Sequence, residues 1–193
     1  MRLKMMLVAA TVVAAGLASV SLSSARLDAA TCFGELATEV GTTGNDDIDL
    51  SDETTRQVVV GLDGDDSIQG GSAGDLLCGN GGIDAVYGDE GKDKINTGSG
   101  RDFGGGDDQD DLIKGGPDKD AGTVTWRVGT PDEGSFQAGL SGEKGDDRVF
   151  GGDGGDELEG EAGDDTLRGD GGIDNCLGGP GKDDVDCEQQ LHK

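Results

Sequence analysis

Residues 61–96 read Gly61-Leu62-Asp63-Gly64-Asp65-Asp66-Ser67-Ile68-Gln69, Gly70-Gly71-Ser72-Ala73-Gly74-Asp75-Leu76-Leu77-Cys78, Gly79-Asn80-Gly81-Gly82-Ile83-Asp84-Ala85-Val86-Tyr87 and Gly88-Asp89-Glu90-Gly91-Lys92-Asp93-Lys94-Ile95-Asn96. Laid under one another, the four lines share a template, Gly-Gly-x-Gly-x-Asp-x-apolar-x, which is a repeat signature rather than a helix or ordinary strand pattern. The phase continues outward. Further nonapeptides begin at Thr97, Gly106 and Gly115, a second block begins at Gly142, Gly151, Gly160, Gly169 and Gly178, and an outlier spans Gly41 to Asp49. All thirteen carry Asp in the sixth place: Asp46, Asp66, Asp75, Asp84, Asp93, Asp102, Asp111, Asp120, Asp147, Asp156, Asp165, Asp174 and Asp183. Thr97 breaks the first-place glycine rule. Ala73, Gln109 and Asp118 break it in the fourth place, and Gly104 and Gly122 leave the apolar eighth place empty.

Composition agrees with a repeat that needs an ion. The 193 residues hold 41 acidic and 15 basic side chains, a formal charge of −26, with 39 glycines and 3% aromatics. Such a surface repels a polyanion, so nucleic acid is excluded as a general partner. The eighth-place ladder (Ile68, Leu77, Val86, Ile95, Ile113, Val149, Leu158, Leu167, Cys176, Val185) supplies one apolar side chain per nonapeptide. At ~1.5–3 kcal/mol each it does not offset the ordering of nine residues at ~1–2 kcal/mol apiece. Metal binding and ladder hydrogen bonds must supply the rest, so a chain that is disordered without metal and folds on binding is expected. Glycine turns that present carbonyl oxygens, together with the sixth-place carboxylates, suit calcium, a hard cation taking six to eight oxygens. With His192 as the single histidine, zinc and copper find little support.

On these motifs the chain resembles the RTX family, the hemolysin-type calcium-binding repeat proteins, over roughly residues 41–186. Its flanks, Cys32-Phe33-Gly34 and Cys176 with Gly178-Gly179-Pro180-Gly181 before Cys187-Glu188, resemble small secreted actinobacterial-type members. The resemblance implies an all-β fold, a right-handed parallel β-roll in which two nonapeptides make one coil. It also implies multiple Ca2+ ions between turns, with the thirteen sixth-place aspartates as metal residues.

The domain reading follows from the phase. Residues 1–25 have the basic, apolar, small-residue order of a signal peptide, with Arg2 and Lys4 before Met5–Val20 and a cleavage triplet Ser23-Ser24-Ala25. Export by a Sec-type route is expected, leaving no membrane span. Residues 26–60 form an N-terminal cap that includes the outlier 41–49, and 61–123 form the first repeat block. Residues 124–141, with Trp126, Arg127, Pro131 and Phe136, are either a degenerate coil or an inserted loop; 142–186 form the second block and 187–193 a tail. Four cysteines in an exported chain imply two disulfides with three connectivities. Cys176 and Cys187 close a short loop, and Cys32 can reach Cys78, so that pairing would staple both ends of a solenoid.

No catalytic constellation survives inspection. Gly70-Gly71-Ser72-Ala73-Gly74 satisfies Gly-x-Ser-x-Gly, but it fills places one to five of a repeat and no histidine accompanies it. A non-enzyme is expected: a secreted calcium-binding protein with a structural, sensing or buffering role. The alternatives are a calcium-dependent adhesion module with a cell-surface or matrix partner, and a non-catalytic accessory to a secreted enzyme. Motif quality further ranks the sites, placing the strongest at Asp66–Asp93 and Asp147–Asp183 and a weak one at Asp120.

Overall fold

A computed structural model of the chain describes residues 30–120, 122–125 and 135–187. The proposed leader, Trp126, Arg127, Pro131 and His192 lie outside the described residues. Among the described residues every regular element is a strand, and no helix is long and apolar enough to cross a membrane.

The strands stack into two parallel sheets facing each other across one narrow core. One sheet runs in spatial order Glu39–Val40, Val58–Asp63, Leu76–Gly81, Lys94–Ser99, Leu112–Gly116, Arg148–Gly154, Thr166–Gly172 and Asp184–Asp186. The other runs Asp47–Asp49, Ser67–Gly71, Ala85–Asp89, Phe103–Gly105, Ser135–Ser141, Glu157–Glu159 and Asn175–Leu177. Consecutive nonapeptides alternate between the sheets. Ile68 therefore registers with Val86, and Leu77 with Ile95, one full coil onward. The architecture is a parallel β-roll built from two nonapeptides per coil.

The eighth-place side chains point inward because side chains alternate along a strand. Val59, Ile68, Leu77, Val86, Ile95, Ile113, Leu140, Val149, Leu158 and Leu167 form one buried cluster, closed at its ends by Ile48, Leu50, Cys176 and Val185. The tight turns depend on glycine where coils touch. At Gly82, with φ +129°, an added Cβ would stand 1.9 Å from the Gly64 carbonyl oxygen of the coil below.

The register corrects the ladder at Gly122. Phe103–Gly105 pairs with Gly139–Ser141, and Leu112–Gly116 pairs with the strand beginning at Arg148. The stack thus passes from Asp120 directly to Gly139, and Leu140 occupies the rung that phase alone gave to Gly122. The repeat there is composite: Gly115 to Asp120 supply its first six places and Gly139, Leu140 and Ser141 its last three. Gly122–Thr125 instead runs antiparallel to Ser135–Ala138, pairing Gly122 with Ala138 and Thr125 with Ser135. The described residues between Asp120 and Gly139 thus form an excursion from the roll, an antiparallel pair rather than a stacked coil.

Gly104, the other gap in the ladder, is compensated by the one first-place residue that is not glycine. A Cβ on Gly104 would meet Thr97 Cγ2 and Ile113 Cγ2 at 3.1 Å and Leu140 Cδ2 at 3.3 Å. Thr97 is fully buried, and its hydroxyl donates to the Gly115 carbonyl at 3.2 Å. The two exceptions fill each other's space.

The N-terminal cap covers a second, smaller core that the repeat pattern does not reveal. Val58, Val60, Leu76 and Cys78 point outward from their sheet. They are buried with Cys32 beneath the antiparallel pair Thr31–Cys32 and Glu35–Leu36. Disulfides join Cys32 to Cys78 and Cys176 to Cys187, one fastening this cap and one the last coil.

Candidate metal centre

Each sixth-place aspartate ends a turn and starts a strand, so successive coils bring them into file. One column holds Asp46, Asp66, Asp84, Asp102, Asp120, Asp156 and Asp174, and the other holds Asp75, Asp93, Asp111, Asp147, Asp165 and Asp183. All thirteen residues singled out in the sequence fall into these two columns. A single hydrogen bond repeats along them: the backbone N–H of one aspartate donates to Oδ1 of the aspartate in the next coil. Asp66 donates to Asp84 at 2.9 Å, Asp84 to Asp102 at 2.9 Å and Asp102 to Asp120 at 2.8 Å. Opposite them, Asp75 donates to Asp93 at 2.6 Å, Asp93 to Asp111 at 2.8 Å and Asp147 to Asp165 at 2.9 Å. Across the excursion the spacing becomes 36 residues, with Asp111 bonded to Asp147 at 2.7 Å and Asp120 to Asp156 at 2.8 Å. Each column has a head: Asp46 donates to Asp66, and Gln57 takes the aspartate's place in donating to Asp75.

That bond accounts for one oxygen of every carboxylate in the columns after Asp46. The other accepts from the Gly71 N–H in Asp75 and is left over in nine of the aspartates. Oδ2 of Asp66, Asp84, Asp93, Asp102, Asp111, Asp147, Asp156, Asp165 and Asp174 is buried without a hydrogen-bond partner. Unpartnered buried oxygens on this scale are foreign to a folded protein unless a cation meets them. First-place glycine makes room beside each except Asp102, whose repeat begins with Thr97. A Cβ on Gly88 would lie 2.4 Å from Asp93 Oδ2 and 2.7 Å from the Gly106 carbonyl oxygen, so carboxylate and next-coil carbonyl converge on the same small space.

The electrostatics point the same way. Burial, aided by neighbouring carboxylates, pushes Asp84, Asp111 and Asp120 up to about 8 and Asp93 and Asp147 to about 7. Asp102 and Asp156 rise to about 6, again chiefly through burial, and Asp66, Asp75 and Asp165 shift upward for the same reason. Carboxylates so placed demand either a proton or a metal ion. Among the described residues no three His, Cys, Asp or Glu side chains meet at one point. A cation here would therefore draw most of its oxygens from turn carbonyls, with a carboxylate Oδ2 as the charged member. Such an all-oxygen set fits calcium and offers nothing to a metal that prefers nitrogen or sulfur.

The second place, glycine in the template, keeps its turn conformation where other residues occupy it. Asn80, Asp89, Asp107, Glu143, Glu161 and Asp170 all adopt left-handed backbone there, with φ between +67° and +80°. Asn and Asp tolerate this conformation better than most residues, which is the signal the sequence offers; the two glutamates give none.

Comparison with known families agrees with this geometry. The RTX calcium-binding nonapeptide repeat model matches four times, at residues 56–86, 74–104, 141–176 and 150–185. Searches of curated proteins and of solved structures gave no match. The matched segments fall in the two blocks on either side of the excursion, where the sheets and aspartate columns are continuous. The repeat array of this chain belongs to the RTX family of calcium-binding nonapeptide repeats, and it binds multiple Ca2+ ions.

Proposed function

We propose that the chain is a secreted, non-catalytic calcium-binding protein whose roll is completed by its ions and serves a structural, sensing or buffering role outside the cell. Asp46, Asp66, Asp75, Asp84, Asp93, Asp102, Asp111, Asp120, Asp147, Asp156, Asp165, Asp174 and Asp183 are the proposed carboxylate ligands. The observation carrying this reading is the row of buried, unpartnered Oδ2 atoms. Without a cation these oxygens are desolvated and face like charge, which opposes folding. With Ca2+ each gains a counter-ion, and binding free energy becomes folding free energy.

Export is supported by the two disulfides, which persist in oxidising compartments, and by the leader-like residues 1–25. The non-catalytic reading is supported by the role found for the carboxylates, each bound to the next coil rather than paired across a cleft. Far-ultraviolet circular dichroism of metal-stripped protein tests the reading. It should show coil in chelator and β-structure in calcium, with a midpoint on the order of 10⁻⁴–10⁻³ M, as for extracellular modules. Identical spectra in both conditions would refute it.

A further inference from the structure

Against a net charge of −26, one outer face of the roll is basic. In the sheet containing Lys94–Ser99, the outward residues of successive rungs are Lys94 and Asn96, Leu112 and Lys114, Arg148 and Phe150, then Thr166 and Arg168. No acidic residue points outward on these four rungs. The equivalent face of the other sheet carries no cation, from Ser67 and Gln69 through Glu157 and Glu159 to Asn175 and Leu177.

Arg168 is engaged by Asp184. Lys94, Lys114 and Arg148 are exposed and take part in none of the ion pairs found among the described residues. Rungs stand ~4.8 Å apart and the two outward positions on a strand ~7 Å apart, so the three cations, Lys94 and Arg148 in one outward column and Lys114 in the other, zigzag along the roll axis on three successive rungs. Asp110, Asp146 and Asp164, joined to one another by backbone N–H to carboxylate bonds, edge this strip on one side, and Asp153 and Asp170 on the other; Glu35 of the cap, paired with Arg56, also lies within reach of the Lys94 charge. At its N-terminal end Lys114 Nζ stands 5.9 Å from the centre of the Phe33 ring, beside a hollow of about 320 Å³ that Asn96 and Cys78 also line.

We infer that this strip binds a single extended anionic polysaccharide lying along the roll axis. Three cations without ion-pair partners on successive rungs attract a polymer that carries one anionic group per few ångströms. The acidic edges favour a narrow chain: a duplex or a bilayer is far wider than the strip and would meet both edges. The exposed Phe33 and the amide of Asn96, which line one hollow, suit a sugar's mixed apolar and hydroxyl surface. The choice of a glycan over another single-chain polyanion rests on the extracellular reading proposed above. Calcium gates the interaction, since each bound ion adds two positive charges to the roll and lowers the long-range repulsion that an anionic polymer meets.

The test uses the full chain in calcium with dextran sulfate as probe, neutral dextran as control, and single-stranded DNA and anionic phospholipid vesicles as competitors. The wild-type protein should bind dextran sulfate in calcium, more weakly as salt rises, and should bind neither dextran nor the two competitors within ~10-fold. The triple variant Lys94→Gln/Lys114→Gln/Arg148→Gln should lose at least ~10-fold in affinity, whereas Arg101→Gln/Lys119→Gln/Lys182→Gln, equal in charge change, should lose under ~2-fold. Equal losses in the two triples, or DNA or vesicles binding as well as dextran sulfate, would overturn the assignment. The wild-type comparison of probe and competitors decides even where a variant does not fold. A calcium-induced dichroism change that survives without polysaccharide binding rejects this inference alone, while loss of that change rejects the proposed calcium-coupled fold.

Discussion

The backbone N–H of Asp120 donates to Asp156 Oδ1 at 2.8 Å across 36 residues of sequence, the same bond that elsewhere joins aspartates 18 apart. The coil before the excursion is therefore welded to the coil after it with no change of geometry. Asp120 is buried and pushed up to about 8, above Asp102 and Asp156 on either side of it in the column at about 6, so the structure favours a full site here over the weak one that motif quality suggests. Asp120→Ala should leave the buried Asp102 N–H without its acceptor, costing roughly 1–3 kcal/mol. It should raise the calcium midpoint as much as Asp165→Ala does. A calcium titration of both variants by circular dichroism checks this.

Deleting residues 121–138 and joining Asp120 to Gly139 should preserve the roll. Gly139 already donates to the Asp102 carbonyl at 3.1 Å, as Phe103 does to Asp84 at 2.9 Å. The deletion variant should reach the same β-signal in calcium, with a midpoint within about twofold of the parent, under ~0.5 kcal/mol. A chain that no longer folds would show that the excursion is part of the stack.

Thr97 and Gly104 should behave as a coupled pair. Thr97→Gly removes a buried methyl and the hydroxyl bonded to Gly115, and should destabilise the calcium-loaded protein by roughly 1–3 kcal/mol. Gly104→Val should be destabilising in the parent, where Thr97 Cγ2 stands in the way, and much less so in the Thr97→Gly background. Denaturant unfolding of the four proteins should give a coupling energy of about 0.5–3 kcal/mol.

Acid should partly replace calcium. Unfolded aspartate titrates near ~3.9, whereas burial holds Asp84, Asp111 and Asp120 at about 8 in the metal-free roll. Between these values the folded chain binds more protons than the unfolded one, so its stability is greatest below the unfolded value and is lost as pH rises toward 8. In chelator the β-signal should accordingly grow as pH falls from 8 to 5. With calcium present, the midpoint should move to higher calcium over the same range, because protons compete for the same oxygens. Dichroism titrations at several pH values measure both trends.

The Cys176–Cys187 bridge should act locally. It closes a separation of 11 residues around the nonapeptide 178–186, whose strand Asp184–Asp186 is the edge of its sheet among the described residues, and edge coils fray first. Cys187→Ser should cost roughly 2–3 kcal/mol by loop-closure reasoning. Hydrogen exchange should rise around Asp183 to Asp186 and stay unchanged around Asp66 to Asp93.

The roll was legible because its determinants are local. A sixth-place aspartate, an eighth-place aliphatic and glycine turns repeat in the sequence itself, so Ile68, Leu77 and Asp84 could be placed by counting. What counting could not reach depends on which coil meets which. Leu140 takes the rung assigned by phase to Gly122 because the chain leaves the stack after Asp120, and no residue between them announces the departure point. Thr97 read as a defect and Gly104 as a gap until stacking placed one against the other. The burial of Val58 and Val60 on an outward face required the cap, since nothing in their own repeats distinguishes them from solvated positions. The basic strip was hidden for the same reason: Lys94, Lys114 and Arg148 are far apart in sequence and become neighbours only through the register.

Calorimetric titration of metal-stripped protein with calcium tests the central claim most directly, because it counts the ions that the two aspartate columns hold. The account predicts uptake of several ions per chain, with the heat released over the same calcium range in which the β-signal forms. Uptake of one ion or none, or a β-roll fully formed in chelator at pH 8, would contradict it.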